Sequence, residues 1–304
     1  MAFIRDFNSS PMRLSEMREV LAARGIHLSK SLGQNFLHDG NQLRRIVEAA
    51  ELTRQDKVLE IGPGFGPLTE MLLEKAGEVL AIEKDARLVE VLRERLDAGQ
   101  ASRLSPSSKR LETGATPVLR LLHDDALEFL RRVPRDWSDW KLVANLPYSV
   151  ASPILVELAQ ARGCLQRMVA TLQLEVARRL LAKPGEADYG VLTLLIQLDY
   201  ESRGWFKIPA TCFFPSPDVD SACVALVRRG RPLLADQHRE AFVKIVKRSF
   251  AQRRKMMFKL LKADWPEQKL ERAFCATALS PQNRAEAVSL GQFVQLTHCL
   301  APSL

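Results

Sequence analysis

No run of about 18 apolar residues occurs anywhere in the sequence, so a membrane-spanning helix is not expected. The opening stretch, MAFIRDFNSS, mixes charge and polarity where a secretory signal would carry an apolar block. It has no targeting pattern, and the expected location is a bacterial cytoplasm. Cysteines are few and scattered: Cys164, Cys212, Cys223, Cys275 and Cys299 form neither a CxxC pair nor any metal-ligand spacing. Reduced core thiols are therefore expected instead of disulfides. The five histidines are equally dispersed, which argues against a metal site. There is no internal repeat, and nothing marks an oligomer, so a monomer is the default.

What is present is a chain of 304 residues, 46% hydrophobic and 26% charged, enough for one large core and a smaller one. The net charge of +8 is unevenly placed. Residues 231–304 hold 13 Lys/Arg against 6 Asp/Glu, while residues 1–230 hold 31 against 30. Eight basic residues and no acidic one fall between Lys244 and Lys262. A solvated helix face usually intersperses both signs; this asymmetry suits a polyanionic partner.

From Lys57 onward, short apolar runs alternate with amphipathic helical patterns. Val58–Ile61 and Val79–Ile82 are expected strands, followed by Val118–Leu122, Leu142–Ala144, Met168–Leu172, Leu194–Leu198 and Val219–Val227. This rhythm predicts an α/β fold with a mostly parallel sheet covered on both faces. Residues 98–117, rich in Ser, Gly, Pro and Thr, are expected to form a loop insertion. Beyond Arg228-Arg229-Gly230-Arg231-Pro232 only helical patterns remain: Asp236–Ala251, Lys255–Ala263, Glu267–Ala276 and Leu290–Leu300. Two domains are expected: residues 1–230, α/β, and residues 231–304, small, basic and all-helical.

Glu60-Ile61-Gly62-Pro63-Gly64-Phe65-Gly66 is a GxGxG turn between an expected strand and helix. Glycines there let the backbone approach a ligand. A dinucleotide fingerprint needs its third glycine at position 67, which is Pro67. The spacing fits instead the variant used by S-adenosylmethionine enzymes. Glu83, ending the next strand, can accept both ribose hydroxyls of such a cofactor. Asp125 is placed to accept from the adenine amine, with Asp124 a competing candidate. Alone, each of these could be a turn or a surface carboxylate; together, at successive strand ends, they suit a nucleoside cofactor.

Asn145-Leu146-Pro147-Tyr148 closes the fourth expected strand. An adenine N6 is a poor nucleophile because its lone pair is delocalised into the ring. Two acceptors that force N6 to pyramidalise would localise that pair. The Asn145 side chain offers one, and the Leu146 carbonyl, fixed in direction by Pro147, offers the other. Tyr148 offers a ring face for a base taken out of its stack. The bland alternative is an ordinary strand-end turn.

Taken in order, KSLGQNFL (residues 30–37), EIGPGFGPLT (60–69), NLPY (145–148) and FFPSPDVDS (213–221) resemble the small-subunit ribosomal RNA adenine N6,N6-dimethyltransferase (KsgA) family. The resemblance runs from about residue 27 to about residue 262. It implies a Rossmann-like S-adenosylmethionine methyltransferase sheet with a small helical C-terminal domain. The activity implied is dimethylation of adenines near the 3′ end of small-subunit RNA, within a small-subunit particle, by direct transfer without a metal. Asn35 and Leu37 would close over the cofactor; Gly62, Gly64, Gly66, Glu83, Asp125 and Asn145 would line its pocket. Phe213 would form the wall of the adenine slot opposite Tyr148. Lys247, Arg248, Arg253, Arg254 and Lys255 would contact phosphates, with Phe250 and Phe258 as core. Asp218 stands where the family usually carries a basic residue. Related alternatives are Erm-type large-subunit RNA dimethyltransferases, mitochondrial relatives acting as transcription factors, and more distant NPPY DNA adenine methyltransferases.

Overall fold

The computed structural model describes residues 12–28, 33–103, 117–161, 163–252 and 254–301. After α1 (Leu14–Ala23), β1 (Phe36–Leu37) and α2 (Gly40–Ala49), the chain alternates strand and helix. The elements are β2 (Lys57–Ile61), α3 (Pro67–Lys75), β3 (Glu78–Glu83), α4 (Ala86–Arg103), β4 (Val118–His123), α5 (Ala126–Arg132), β5 (Trp140–Asn145), α6 (Ala151–Gln160) and β6 (Arg167–Gln173). Helices α7 (Leu174–Leu181) and α8 (Val191–Gln197) precede β7 (Tyr200–Ile208), β8 (Phe213–Phe214) and β9 (Ser221–Arg228). The chain ends in α9 (Arg239–Ser249), α10 (Met257–Leu261), α11 (Glu267–Ala276) and α12 (Leu290–Leu300).

Seven strands form one sheet in the order β4-β3-β2-β5-β6-β9-β7, with β4, β3, β2, β5 and β6 parallel and β9 antiparallel to β6. The inner strands β2, β3, β5 and β6 are buried along most of their length, which is why they appear in sequence as continuous apolar runs. The sheet grows outward from β2 through β3 to β4, then restarts on the other side of β2 with β5. The crevice at that reversal, outside the carboxyl ends of the strands, is where open α/β sheets bind ligands. Local signals set the helix starts that face it. Gly66, in the left-handed region at φ 87°, caps α3 and is followed by Pro67 at the first helical position. Asp125 caps α5 by accepting from the Leu127 and Glu128 amides at 2.9 and 3.1 Å.

The chain divides into two compact units, residues 1–174 with 202–227, and residues 175–201 with 228–304. The second unit begins its long stretch close to the boundary expected at residue 230, but it also takes in α7 and α8. Within it α8 packs on α9, α9 on α10 and α12, and α11 on α12. Phe258 is buried, and Phe250 stacks on Phe293, so both rings are packing residues as expected.

Two sequence expectations are corrected. Leu194–Leu198 is not a strand: its residues belong to α8 and its C-cap. The run VLTLLIQ is buried almost all round, and a short, uniformly apolar segment has no periodicity to separate helix from strand. Residues 98–103, expected in a loop, continue α4; residues 104–116 lie outside the described residues. The opening Lys30-Ser31-Leu32 of the first motif is outside them as well. No helix among the described residues is long and apolar enough to cross a membrane.

Candidate active site

A cavity opens in the first unit at the carboxyl ends of β2, β3, β4 and β5. Ile61 and Gly62 line it from β2, Ile82, Glu83 and Lys84 from β3, Asp124 and Asp125 beyond β4, and Asn145, Leu146 and Pro147 beyond β5. Gln34, Asn35 and Phe36 close it from the N-terminal side.

Glu83 is buried at the cavity wall, its carboxylate accepting from the Gly64 amide at 3.1 Å and the Asp85 amide at 2.9 Å. Burial lifts its carboxyl above the ordinary carboxylate range against the pull of those two donors, and neighbouring Asp85 adds to the lift. Asp85 itself is held low by the Arg87 guanidinium and by Gln34, whose amide donates at 3.0 Å. Glu83 thus faces the cavity with lone pairs to spare and no cationic side chain paired with it among the described residues. Paired hydroxyls such as those of a ribose suit it. Glu83→Ala should raise the dissociation constant for S-adenosylmethionine about tenfold or more, since a charged acceptor is worth about 1.5–3 kcal/mol. Titration calorimetry showing unaltered cofactor affinity would remove Glu83 from the site.

The three glycines of the turn do different work. Gly62, at φ 71°, lines the cavity, and a Cβ there would meet the Pro147 ring at 3.4 Å. Gly64 and Gly66 do not line it. A Cβ on Gly64 would lie 2.7 Å from the Phe36 ring, so this glycine makes room for a wall residue. On Gly66 a Cβ would lie 2.3 Å from a methyl of Leu92. Leu37 also departs from expectation. It is buried in the core beside Phe213, because consecutive residues of β1 point to opposite sides and Phe36 takes the cavity side.

Asp125 lines the cavity, but one carboxylate oxygen caps α5 and the other pairs Lys84 at 2.8 Å. Lys84 holds its carboxyl low. Asp124 lines the cavity too and pairs Arg132 at 2.5 Å. Neither is left to the cofactor without competition.

Asn145 is the most informative side chain. Its amide Nδ2 donates to the Asn35 carbonyl at 2.9 Å, while its Oδ1 is buried with no partner among the described residues. A buried acceptor left unsatisfied costs free energy, and a donor brought to it would relieve that cost. The Leu146 carbonyl accepts no backbone hydrogen bond among the described residues. Tyr148 lies outside the cavity lining, half-buried, its hydroxyl 2.5 Å from the Ser221 hydroxyl. Phe213 is 3% exposed and packs in the core with Leu37 and Ile208, so the expected open ring face is absent in this structure. One buried carboxyl escaped the sequence reading. Burial pushes the Glu60 carboxyl up to about 8. Its signal was there, as an acid inside the apolar run Val58–Ile61.

The family model of ribosomal RNA adenine dimethylases matches residues 26–302. The chain belongs to the ribosomal RNA adenine dimethylase family. Ribosomal RNA small subunit methyltransferase A of Geobacillus kaustophilus is 39% identical over 295 residues, 94% of this chain and 95% of its own length. The same enzyme of Latilactobacillus sakei is 39% identical, with 93% of each chain covered. Among solved structures, the 23S rRNA methyltransferase ErmE is 28% identical with a TM-score of 0.63, covering 88% of this chain and all of its own. A dimethyladenosine transferase from Plasmodium falciparum, at 23% identity and a TM-score of 0.68 over 86% of this chain and 95% of its own, shares the fold.

The methyl donor of this dimethylase is S-adenosylmethionine. The residues fit it: Gly62 lines the cavity without a side chain, Glu83 offers acceptors, and the strand ends that line the crevice carry Asp124, Asp125 and Asn145. When bound, S-adenosylmethionine supplies an electrophilic methyl on a cationic sulfur. The protein's share is then orientation and lone-pair localisation.

Proposed function

We propose that this dimethylase methylates N6 of two adjacent adenosines near the 3′ end of small-subunit ribosomal RNA, within a small-subunit particle in the cytoplasm. The small-subunit assignment draws on the names of the relatives at 39% identity. The observation that carries the chemistry is the unpartnered Oδ1 of Asn145, held in place through its own Nδ2. An adenine amine brought to it donates one N–H to Oδ1 and the other to the Leu146 carbonyl. N6 then pyramidalises and its lone pair turns toward the methyl. On the first transfer N6 gives up one proton to solvent; one N–H then remains, and one acceptor suffices to orient it for the second. Tyr148 supplies the stacking face for the extruded base, and Phe213 contributes once its ring is uncovered. The helical unit, including residues 231–304, docks the RNA. Primer extension across both ribosomal RNAs from a deletion strain tests the assignment. Missing stops on the small-subunit RNA support it; stops lost only from the large-subunit RNA would replace it with the Erm-type reading.

A further inference from the structure

Helix α1 lies in the first unit and is fixed there by its buried face. Met17 is completely buried in a cluster with Phe65, Leu88 and Val91. Arg18, the next residue, is turned about 100° around the helix from Met17 and is exposed. Its guanidinium lies over the ring of Phe214, 5.2 Å from the centroid.

Some arginines of this unit hold carboxylates, Arg87 pairing Asp85, Arg95 Glu70 and Arg167 Glu51, while Arg45 and Arg135, like Arg18, lie over aromatic rings. Arg18 has no such partner among the described residues. The positions that face it along the helix, Leu14, Ser15, Leu21 and Ala22, carry no acid. Contact through a ring face leaves the N–H donors, which lie in the guanidinium plane, free for oxygen acceptors. That arrangement suits a bidentate contact to phosphate.

The location ties this cation to the reaction. Phe214 pairs with Phe36 across the two-stranded β1–β8 sheet, and Phe36 lines the cavity. Asn35, beside Phe36, holds the Asn145 amide through its carbonyl. Arg18 therefore stands on the rim of the methyl-transfer cleft, one strand pair from the group that receives N6. A base drawn into that cleft brings its flanking phosphates to the rim. In the exposed loop following Phe214, the Asp218 carboxylate repels them.

We propose that Arg18 is a substrate-positioning residue: lying over Phe214, it binds a backbone phosphate next to the target adenosine and holds the RNA at the cleft. The inference rests on the RNA substrate proposed above. Its test uses the full-length protein, filter binding of protein-free small-subunit RNA at several salt concentrations, and methyl transfer to particles from a deletion strain.

Arg18→Gln should weaken RNA binding about five- to tenfold and flatten the plot of log affinity against log salt by about 0.7–0.9, one phosphate contact. KM for particles should rise by a similar factor while kcat at saturation, cofactor affinity and melting temperature hold. Arg18→Lys should keep the slope. An unchanged slope and RNA affinity in Arg18→Gln would overturn the proposal. So would a loss of cofactor affinity or melting temperature, since α1 would then be acting as a structural strap. A defect confined to particles, with protein-free RNA bound normally, would assign Arg18 to a ribosomal protein and overturn it equally. If the wild-type protein neither binds nor methylates small-subunit RNA, the functional reading itself fails, independently of Arg18.

Discussion

Asn145→Ala should lower kcat by about 10²–10³ or more, the scale seen when one preorganised polar group aimed at a reacting centre is removed. The expectation follows from how the side chain is held. Nδ2 is anchored on the Asn35 carbonyl, so Oδ1 must point the other way, and it is buried without a partner. In water that acceptor would be solvated and its orientation averaged. In the cleft its direction is fixed through Nδ2 before substrate arrives, so it meets N6 already aimed. Alanine removes both the acceptor and the anchor. Asn145→Asp separates them: it keeps an acceptor but sets a carboxylate oxygen against the Asn35 carbonyl, losing the aim. It should retain only a small part of the activity. Single-turnover transfer of labelled methyl groups to unmethylated particles, with cofactor and RNA affinities measured alongside, distinguishes chemistry from binding. Near wild-type turnover in the alanine variant would show that the Leu146 carbonyl alone orients N6.

How much of this was legible in the sequence depended on what kind of physics each residue obeys. The parallel sheet was readable because buried inner strands must be apolar along their length, and the reversal beside β2 follows from strand order. Glu83, Gly62 and Asn145 were readable because each closes a strand at the crevice. The face of a two-residue strand was not. Residues 35–37 carry one motif, yet alternation sends Phe36 to the cavity and Leu37 to the core. The glycine turn was readable as a turn, but only the structure shows that Gly64 and Gly66 also make room for Phe36 and Leu92. The run that became α8 carried no period to read. Charge was the least legible. The segment from Lys244 to Lys262 has no acid within it, yet Asp264, two residues beyond, reaches back to Lys244 at 3.0 Å and Arg248 at 2.6 Å.

That last contact reshapes what the basic segment can do. Arg248 was expected to bind phosphate, but with Lys244 it grips Asp264 one helical turn apart, and the two cations hold the Asp264 carboxyl low. These charges brace α9 against the chain beyond α10. Lys262 is engaged similarly with Glu267. Arg253 lies outside the described residues. Lys247, Arg254 and Lys255 are exposed, and none holds an ion pair among the described residues. Phosphates are the partners that would release their counterions. Changing Lys247, Arg254 and Lys255 together to Gln should therefore flatten the salt dependence of RNA binding by about two to three units. At physiological salt a slope change of that size corresponds to about a hundredfold loss of affinity relative to the high-salt limit. Cofactor affinity should hold, since the pocket residues all belong to the first unit. Arg248→Gln makes the contrast. Its main loss should be in the melting temperature of the helical unit, with the salt slope nearly intact, because Asp264 already neutralises it. Filter binding of a small-subunit RNA fragment across a salt series, with melting curves for both variants, tests the division. If the single Arg248 variant lost as much slope as the triple one, the grip on Asp264 would have to open when RNA binds, and Arg248 would rejoin the phosphate contacts.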